Sequence, residues 1–260
     1  MGHDEMGDIM GARLFMEAVL GFIYPRSLYC VLCGNTLMPG ARMGVCDACC
    51  SSLPFIHPPT CRTCGKPVEQ ADFLVGDETV EGICPDCLHV SHDFLQATSV
   101  FEYTSSIQKL IYRYKYDGEY SLGATFSVFM AEALTGHFGW KVDLVLPVPL
   151  HPNRLKRRGF NQSAVLSTHI AEICGIDHSE DILCRCIDTP TQTRLGRHGR
   201  AENLKNAFCV RDKSKIDGKT LLLIDDVYTT GATADSCTIA LKKAGAAGVF
   251  VLTLATGRNI

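Results

Sequence analysis

Four C-x2-C pairs, Cys30/Cys33, Cys46/Cys49, Cys61/Cys64 and Cys84/Cys87, stand within the first 90 residues of this 260-residue chain. No other feature restricts the fold as tightly. Each pair reads as a short knuckle, and in CVLCG and CRTCG the following glycine permits the turn that aims two thiolates at one ion. Taken in order, the spacings C-x12-C and C-x19-C between pairs suit two tetrahedral zinc sites of four thiolates each. A cross-braced pairing uses the same ligands and stays open. A disulfide framework would belong to a secreted chain, and thioredoxin-type redox chemistry needs one such pair, not four. Neither site has a histidine, a carboxylate or an open position, so both read as structural clips. The segment is short and acidic, and zinc would supply the folding free energy that burial cannot.

Beyond the ribbons the cysteines thin out. Cys174, Cys184, Cys186, Cys209 and Cys237 lie in mixed or apolar contexts and are expected to fill core space. SSLPFIHPP reads as an extended spacer between the ribbons, and Gly76 to Glu81 as an exposed loop inside the second. The one apolar stretch near the start, Leu14 to Tyr24, is interrupted by Glu17 and preceded by acids where a secretory signal is basic. A cytoplasmic protein with no membrane insertion is therefore expected. The domain division follows: an N-terminal helical segment over 1–26, a double zinc ribbon over 27–92, and an α/β domain over 93–260.

From about residue 96, apolar runs of strand length alternate with helical patterns. QATSVFEY, DLVLPVP, ILCRC, AFCV, TLLLIDDV and GVFVLTLA read as strands. SIQKLIYRYKY, YSLGATFSVFMAEALTGHF, NQSAVLSTHIAEICGI and ADSCTIALKKAGA read as helices. Such alternation implies a doubly wound, mostly parallel sheet with ligands at the carboxyl ends of its strands. LLLIDDVYTTGAT then carries two carboxylates, Asp225 and Asp226, to a strand tip, followed by a threonine-glycine turn into a helix. Paired acids suit vicinal hydroxyls or a hydrated cation, and a nest of N–H groups at a helix start suits a monophosphate. Together they suit a ribose 5-phosphate. This stretch has no GK[ST] for a Walker loop, and no G-x-G-x-x-G marks a dinucleotide site.

This stretch resembles the phosphoribosyl pyrophosphate (PRPP) motif of type I phosphoribosyltransferases. By that resemblance Asp225 and Asp226 grip the ribose hydroxyls, and Thr229, Thr230, Gly231, Ala232 and Thr233 grip the 5-phosphate, with Mg2+ accompanying PRPP. PVPLHPNRLKRRGF corresponds to the pyrophosphate loop and TPTQTRLGRHGRAENLKNAF to the mobile catalytic loop. Both are basic, and Arg154, Arg158, Arg194, Arg197 and Arg200 are the candidate anion ligands. A narrower likeness spans nearly the whole chain: a double zinc ribbon, then Arg154, Arg158, Gly159, Phe160, Asn161 and Gln162, then Gln192, Leu195, Arg200, Asn203 and Phe208, then the PRPP motif. That order is similar to the ComF family, associated with DNA uptake in natural transformation. The resemblance implies a PRPP-binding protein of phosphoribosyltransferase fold that handles single-stranded DNA, with a DNA-uptake helicase as a possible partner. The alternative is an active Mg2+-dependent phosphoribosyltransferase acting on a nucleobase or amine.

Residues 141–220 carry a net +5, where a phosphate polymer or PRPP alone would both find cations. Lys156 and Arg157 extend that basic set. Tyr112, Tyr114 and Tyr116 read first as amphipathic helix residues rather than a stacking platform. Among nine scattered histidines, only His151 and His198 fall inside the two anion segments.

Overall fold

A computed structural model of the chain describes residues 28–38, 44–68, 72–75, 78–137, 139–187 and 207–257. The expected helical segment over 1–26 lies outside them. The chain divides into two compact units, residues 1–52 and 53–260. In the first, the Cys30 N–H donates to Asn35 O at 2.7 Å and Gly34 N–H to Cys30 O at 2.7 Å, closing a knuckle at Gly34, whose φ is 76°. Helix α1 (Asp47–Ser52) carries Cys49. The second unit repeats the device: Cys61 N–H donates to Lys66 O at 2.8 Å, Gly65 N–H to Cys61 O at 2.8 Å, and Gly65 has φ 70°.

The second ribbon also contains a hairpin of β1 (Asp72–Val75) and β2 (Glu78–Glu81), and helix α2 (Pro85–His89). The exposed loop expected over Gly76 to Glu81 is therefore strand from Glu78 onward. It pairs antiparallel with β1, Phe73 opposite Val80 and Leu74 opposite Thr79.

After the ribbon come β3 (Gln96–Glu102), α3 (Ser105–Tyr116), α4 (Ser121–His137), β4 (Leu144–Pro147), α5 (Pro152–Arg158), α6 (Gln162–Cys174) and β5 (Asp177–His178). They are followed by β6 (Leu183–Arg185), β7 (Phe208–Val210), β8 (Thr220–Tyr228), α7 (Ala232–Lys243) and β9 (Gly248–Thr256). Five strands form a parallel sheet in the order β3-β9-β8-β4-β5. Leu221, Leu222, Leu223 and Ile224 of the central β8 are wholly buried, each contributing on the order of 2 kcal/mol of hydrophobic stabilisation. Leu221 and Leu223 share one face with Leu144, Leu146, Val249 and Val251, and there Cys237 and Leu241 of α7 pack. Helices α4 and α6 pack on the sheet as well. The doubly wound, parallel fold class is the one the alternation implied.

β3 is an edge strand, and its free backbone is covered. The Ala97 N–H donates to Thr63 O of the second ribbon at 2.8 Å, and the spacer runs alongside through Ile56 N–H to Val100 O at 2.9 Å and Glu102 N–H to Pro54 O at 2.8 Å. A side chain on Gly65 would meet Ala97 O and Thr98 Cα at 2.7 Å. Ribbon and sheet thus touch backbone to backbone there.

Three further expectations change. PVPLHPNRLKRRGF is not a loop throughout, because HPNRLKRRG folds as α5: His151 caps it, Pro152 opens it and Gly159, at φ 87°, closes it. β6 and β7 leave the parallel sheet and pair with each other antiparallel. Their cysteines, Cys184, Cys186 and Cys209, cluster on that ribbon rather than filling the core, with Cys186 exposed. Cys237 is buried as expected, and Cys174 is half-buried.

Candidate functional site

The chain leaves β4 through α6 to β5 on one side, and leaves β8 through α7 to β9 on the other. The carboxyl ends of β4 and β8 therefore mark the point where the winding reverses, and a crevice opens there in doubly wound sheets. Both helices begin at it. Asn161 caps α6 by accepting from Ser163 N–H at 3.2 Å, and its Nδ2 holds Val148 O, just past β4, at 3.1 Å. Gly231 occupies the cap position of α7 at φ 81° with no side-chain hydrogen bond to the first turn. That leaves the amide donors at the start of α7 available to an anion.

Asp225 and Asp226 lie among the last four residues of β8, toward the carboxyl end of the strand. Asp226 is buried and holds the Lys115 ammonium at 2.7 Å, while Gln162 Nε2 donates to it at 2.7 Å. Asp225 accepts from Ser163 Oγ at 3.0 Å and from the Asp226 N–H at 2.9 Å. Burial, with the neighbouring Asp226 charge next, pushes the Asp225 carboxyl up to about 7. One acid is thus neutralised by a cation and the other resists ionisation. A ligand that brings its own cation relieves both.

Thr229, Thr230, Gly231, Ala232 and Thr233 follow as the turn into α7. The Thr230 Oγ1 atom is buried with no hydrogen-bond partner. Such an orphan hydroxyl costs about 1–3 kcal/mol unless a ligand or water meets it. Gly231 sits so closely against its supports that a Cβ there would lie 2.6 Å from the Tyr228 hydroxyl and 2.7 Å from His92 Cε1. A small cleft lined by Val148, Asp225, Thr229, Gly231 and Thr233 joins Asp225 to the turn. The residues fit a phosphorylated ribose with a divalent cation.

The turn rests on the second ribbon's exit segment. The His92 side chain is buried, with Nδ1 2.8 Å from Asp235 Oδ2 on the first turn of α7, and it stacks on Phe94 with centroids 4.7 Å apart. Asp93 N–H donates to the other Asp235 oxygen at 2.9 Å, and Lys66 Nζ, from the Cys61–Cys64 knuckle, lies 6.0 Å over the Tyr228 ring. No sequence pattern marked His92 or Lys115, since only the tertiary fold brings a ribbon residue and a residue of α3 to the strand end.

Of the candidate anion ligands, Arg158 joins the same network. Its Nη1 donates to Gln162 Oε1 at 2.5 Å and its Nη2 to the Tyr116 hydroxyl at 3.0 Å, with the guanidinium 4.9 Å over the Tyr116 ring. Arg154 is half-buried on α5, Lys156 and Arg157 are exposed, and Arg194, Arg197, Arg200 and His198 lie outside the described residues. His151 serves as the cap of α5, its Nδ1 accepting from Asn153 N–H at 3.3 Å. Tyr114 is buried and donates to Gln162 O at 2.8 Å, whereas Tyr112 and Tyr116 are 58% and 59% exposed and pair at 4.9 Å.

The zinc ligands resolve into two sets in sequence order: Cys30, Cys33, Cys46 and Cys49, and Cys61, Cys64, Cys84 and Cys87, each with all sulfurs within 4.8 Å of one another. A tetrahedral ion with bonds of about 2.3 Å spaces its sulfurs about 3.8 Å apart. Cys33 and Cys46 stand 3.7 Å apart, and Cys64 and Cys84 3.6 Å. Both sets therefore have zinc dimensions. No helix among the described residues is long and apolar enough to cross a membrane.

Residues 19–88 match the family model of the double zinc ribbon domain. The chain is 31% identical over 219 residues to the DNA utilization protein YhgH of Salmonella typhimurium, covering 80% of this chain and 95% of that protein. It is 28% identical over 231 residues to competence protein F of Haemophilus influenzae, covering 87% of this chain and 96% of that one. Among solved structures, adenine phosphoribosyltransferase of Thermoanaerobacter pseudethanolicus overlaps 64% of this chain and 93% of its own at 15% identity, with a TM-score of 0.33, too low to bear on the site. The 31% identity over nearly the whole YhgH protein, together with the double ribbon ahead of a doubly wound α/β domain, makes the chain a member of the ComF family.

Proposed function

We propose that this protein binds PRPP with Mg2+ at the β8–α7 turn, and that it does so in the handling of single-stranded DNA. The observation that carries the first half is the buried Thr230 hydroxyl without a partner, set in an uncapped helix start directly after two acids. Asp225 and Asp226 would meet the ribose hydroxyls and its cation, Thr229 to Thr233 the 5-phosphate, and Arg158 the pyrophosphate side. When bound, Mg2+ would offset phosphate charge and compete with Lys115 for Asp226. Calorimetry of Mg2+-PRPP against wild type and an Asp225→Asn/Asp226→Asn pair tests this. A loss of about ten-fold or more is expected, on the order of 1.4 kcal/mol. Unchanged affinity would reject the assignment.

The DNA half draws on the names of relatives and on one surface. Tyr112 and Tyr116 stand exposed as a ring pair with Arg158 laid over the second ring, an arrangement suited to stacking an unpaired base. Single-stranded DNA affinity should fall steeply with salt, and Arg157→Ala should lower the log–log salt slope by about one unit or less. The rival reading is an active Mg2+-dependent phosphoribosyltransferase acting on a nucleobase or amine. Acceptor-dependent pyrophosphate release with only weak DNA binding would favour it. Absence of release beside tight, salt-sensitive DNA binding would favour the binding protein.

A further inference from the structure

The β6–β7 ribbon places three cysteines on one face by backbone register alone. Cys184 lies on β6 and pairs directly with Cys209 of β7, and Cys186 follows the strand two residues later with its N–H donating to Ala207 O at 2.8 Å, so the extended backbone turns both side chains to the same side. Cys186 and Cys209 are joined as a disulfide, while Cys184 is a free thiol with its sulfur 2.8 Å from Cys209 Sγ and 3.9 Å from Cys186 Sγ. The triad is reachable from outside. Cys186 is exposed, and Cys184 lines a cavity of about 600 Å³ that is also bounded by Pro149, Phe160, Asp181 and Arg211. Neither the ribbons nor the PRPP turn contributes to it.

From this juxtaposition of three sulfurs, one exposed and one lining an open cavity, we propose that Cys184, Cys186 and Cys209 form a thiol–disulfide exchange site whose co-substrate is a low-molecular-weight disulfide. In the reduced triad the exposed Cys186 thiolate attacks one sulfur of the co-substrate, forms a mixed disulfide and releases one thiolate. Cys209 then attacks the Cys186 sulfur of that mixed disulfide and expels the second. Two cysteines lose two electrons, the co-substrate is reduced to two thiols, and the two cysteine protons go to the departing thiolates. Cys184, nearer to Cys209, exchanges onto it without net redox change: a Cys184–Cys209 bond forms, Cys186 leaves as thiolate, and the proton given up by Cys184 passes to Cys186. The ribbon clusters do not share this chemistry, because in each of them four thiolates stand at the spacing that a zinc ion occupies.

The test uses the full chain carrying its zinc, equilibrated with glutathione and glutathione disulfide over a range of ratios, acid-quenched, alkylated and mapped by non-reducing peptide mass spectrometry. A Cys186–Cys209 linked peptide should appear as the disulfide form rises and vanish on return to reduced glutathione, while the eight ribbon cysteines remain unlinked. Cys186→Ser should instead yield a Cys184–Cys209 linked peptide, and Cys184→Ser should keep the Cys186–Cys209 one. A melting curve shows that each variant is folded, and if Cys186→Ser does not fold, the minor Cys184–Cys209 peptide of wild type reports the exchange. No linked triad peptide at any ratio, a glutathione adduct on Cys186 that never resolves, or a third metal equivalent lost in Cys184→Ser would each overturn the proposal.

Discussion

Asp225 is the residue at which the candidate site shows a measurable conflict. Its carboxyl has an ordinary value of 3.8 and is raised to about 7 in the folded chain, by burial first and by Asp226 second. As pH climbs from about 4, the unfolded chain gives up this proton before the folded one does, so folding loses stability up to about pH 7 and stays lower above it. Asp225→Asn removes the loss. Its melting temperature should exceed wild type by several degrees at pH 8 and approach it near pH 4, with the difference between proteins cancelling acid effects on the zinc thiolates. An equal offset at both pH values would show that the group is not held neutral. Thr230 makes the complementary prediction. Its buried hydroxyl has no partner, so Thr230→Val should leave the ligand-free protein as stable as wild type or more so, while weakening Mg2+-PRPP binding about ten-fold. A loss of both stability and affinity would mean that the hydroxyl already has a structural role.

At the scale of elements, the start of α7 depends on supports that no local pattern announces. LLLIDDVYTTGAT marked the strand, the acids and the turn, because apolar runs, charges and glycine each obey local rules. His92 and Lys115 obeyed none, for their roles come from packing across long sequence separations. α5 was legible after all: histidine then proline at its start and glycine after its last arginine are ordinary helix punctuation, and expecting a loop from the resemblance obscured them. β6 and β7 show the opposite limit, since short apolar runs do not state which partner they choose. The Lys115–Asp226 pair can be tested as an element-level brace between α3 and β8. With side chains only 18% and 8% exposed, Lys115→Met should cost about 3 kcal/mol by leaving a buried carboxylate unpaired. Adding Asp226→Asn should restore most of it. A single-mutant loss that the double mutant does not recover would place the cost in lost α3 packing instead.

For the whole molecule, the two zinc sites are alike in ligand set and unlike in setting. Ligand type was readable from C-x2-C spacing, but the pairing stayed open between sequence order and a cross-brace, and burial was not readable, since it depends on what each ribbon packs against. In the first cluster Cys33 is exposed and Cys46 and Cys49 are half-buried. In the second, Cys61, Cys64 and Cys84 are each no more than 1% exposed. The second knuckle also accepts hydrogen bonds from β3, Thr63 O from the Ala97 N–H and Arg62 O from Gln96 Nε2, and sets Lys66 over Tyr228, beside the candidate phosphate turn. A chelator must displace protein from the second ion before it can bind, so its release is tied to local unfolding, whereas the first ion is open to direct attack. Elemental analysis should find close to two zinc ions per chain, and a colorimetric chelator should take them in two kinetic phases of equal amplitude. Cys33→Ser should abolish the fast phase and leave Mg2+-PRPP affinity unchanged. Cys64→Ser should abolish the slow phase and weaken that affinity, because the turn loses the ribbon it rests on. Release of both ions in a single phase, or wild-type PRPP affinity in a folded Cys64→Ser protein, would separate the second ribbon from the site and leave it a clip for the edge of the sheet alone.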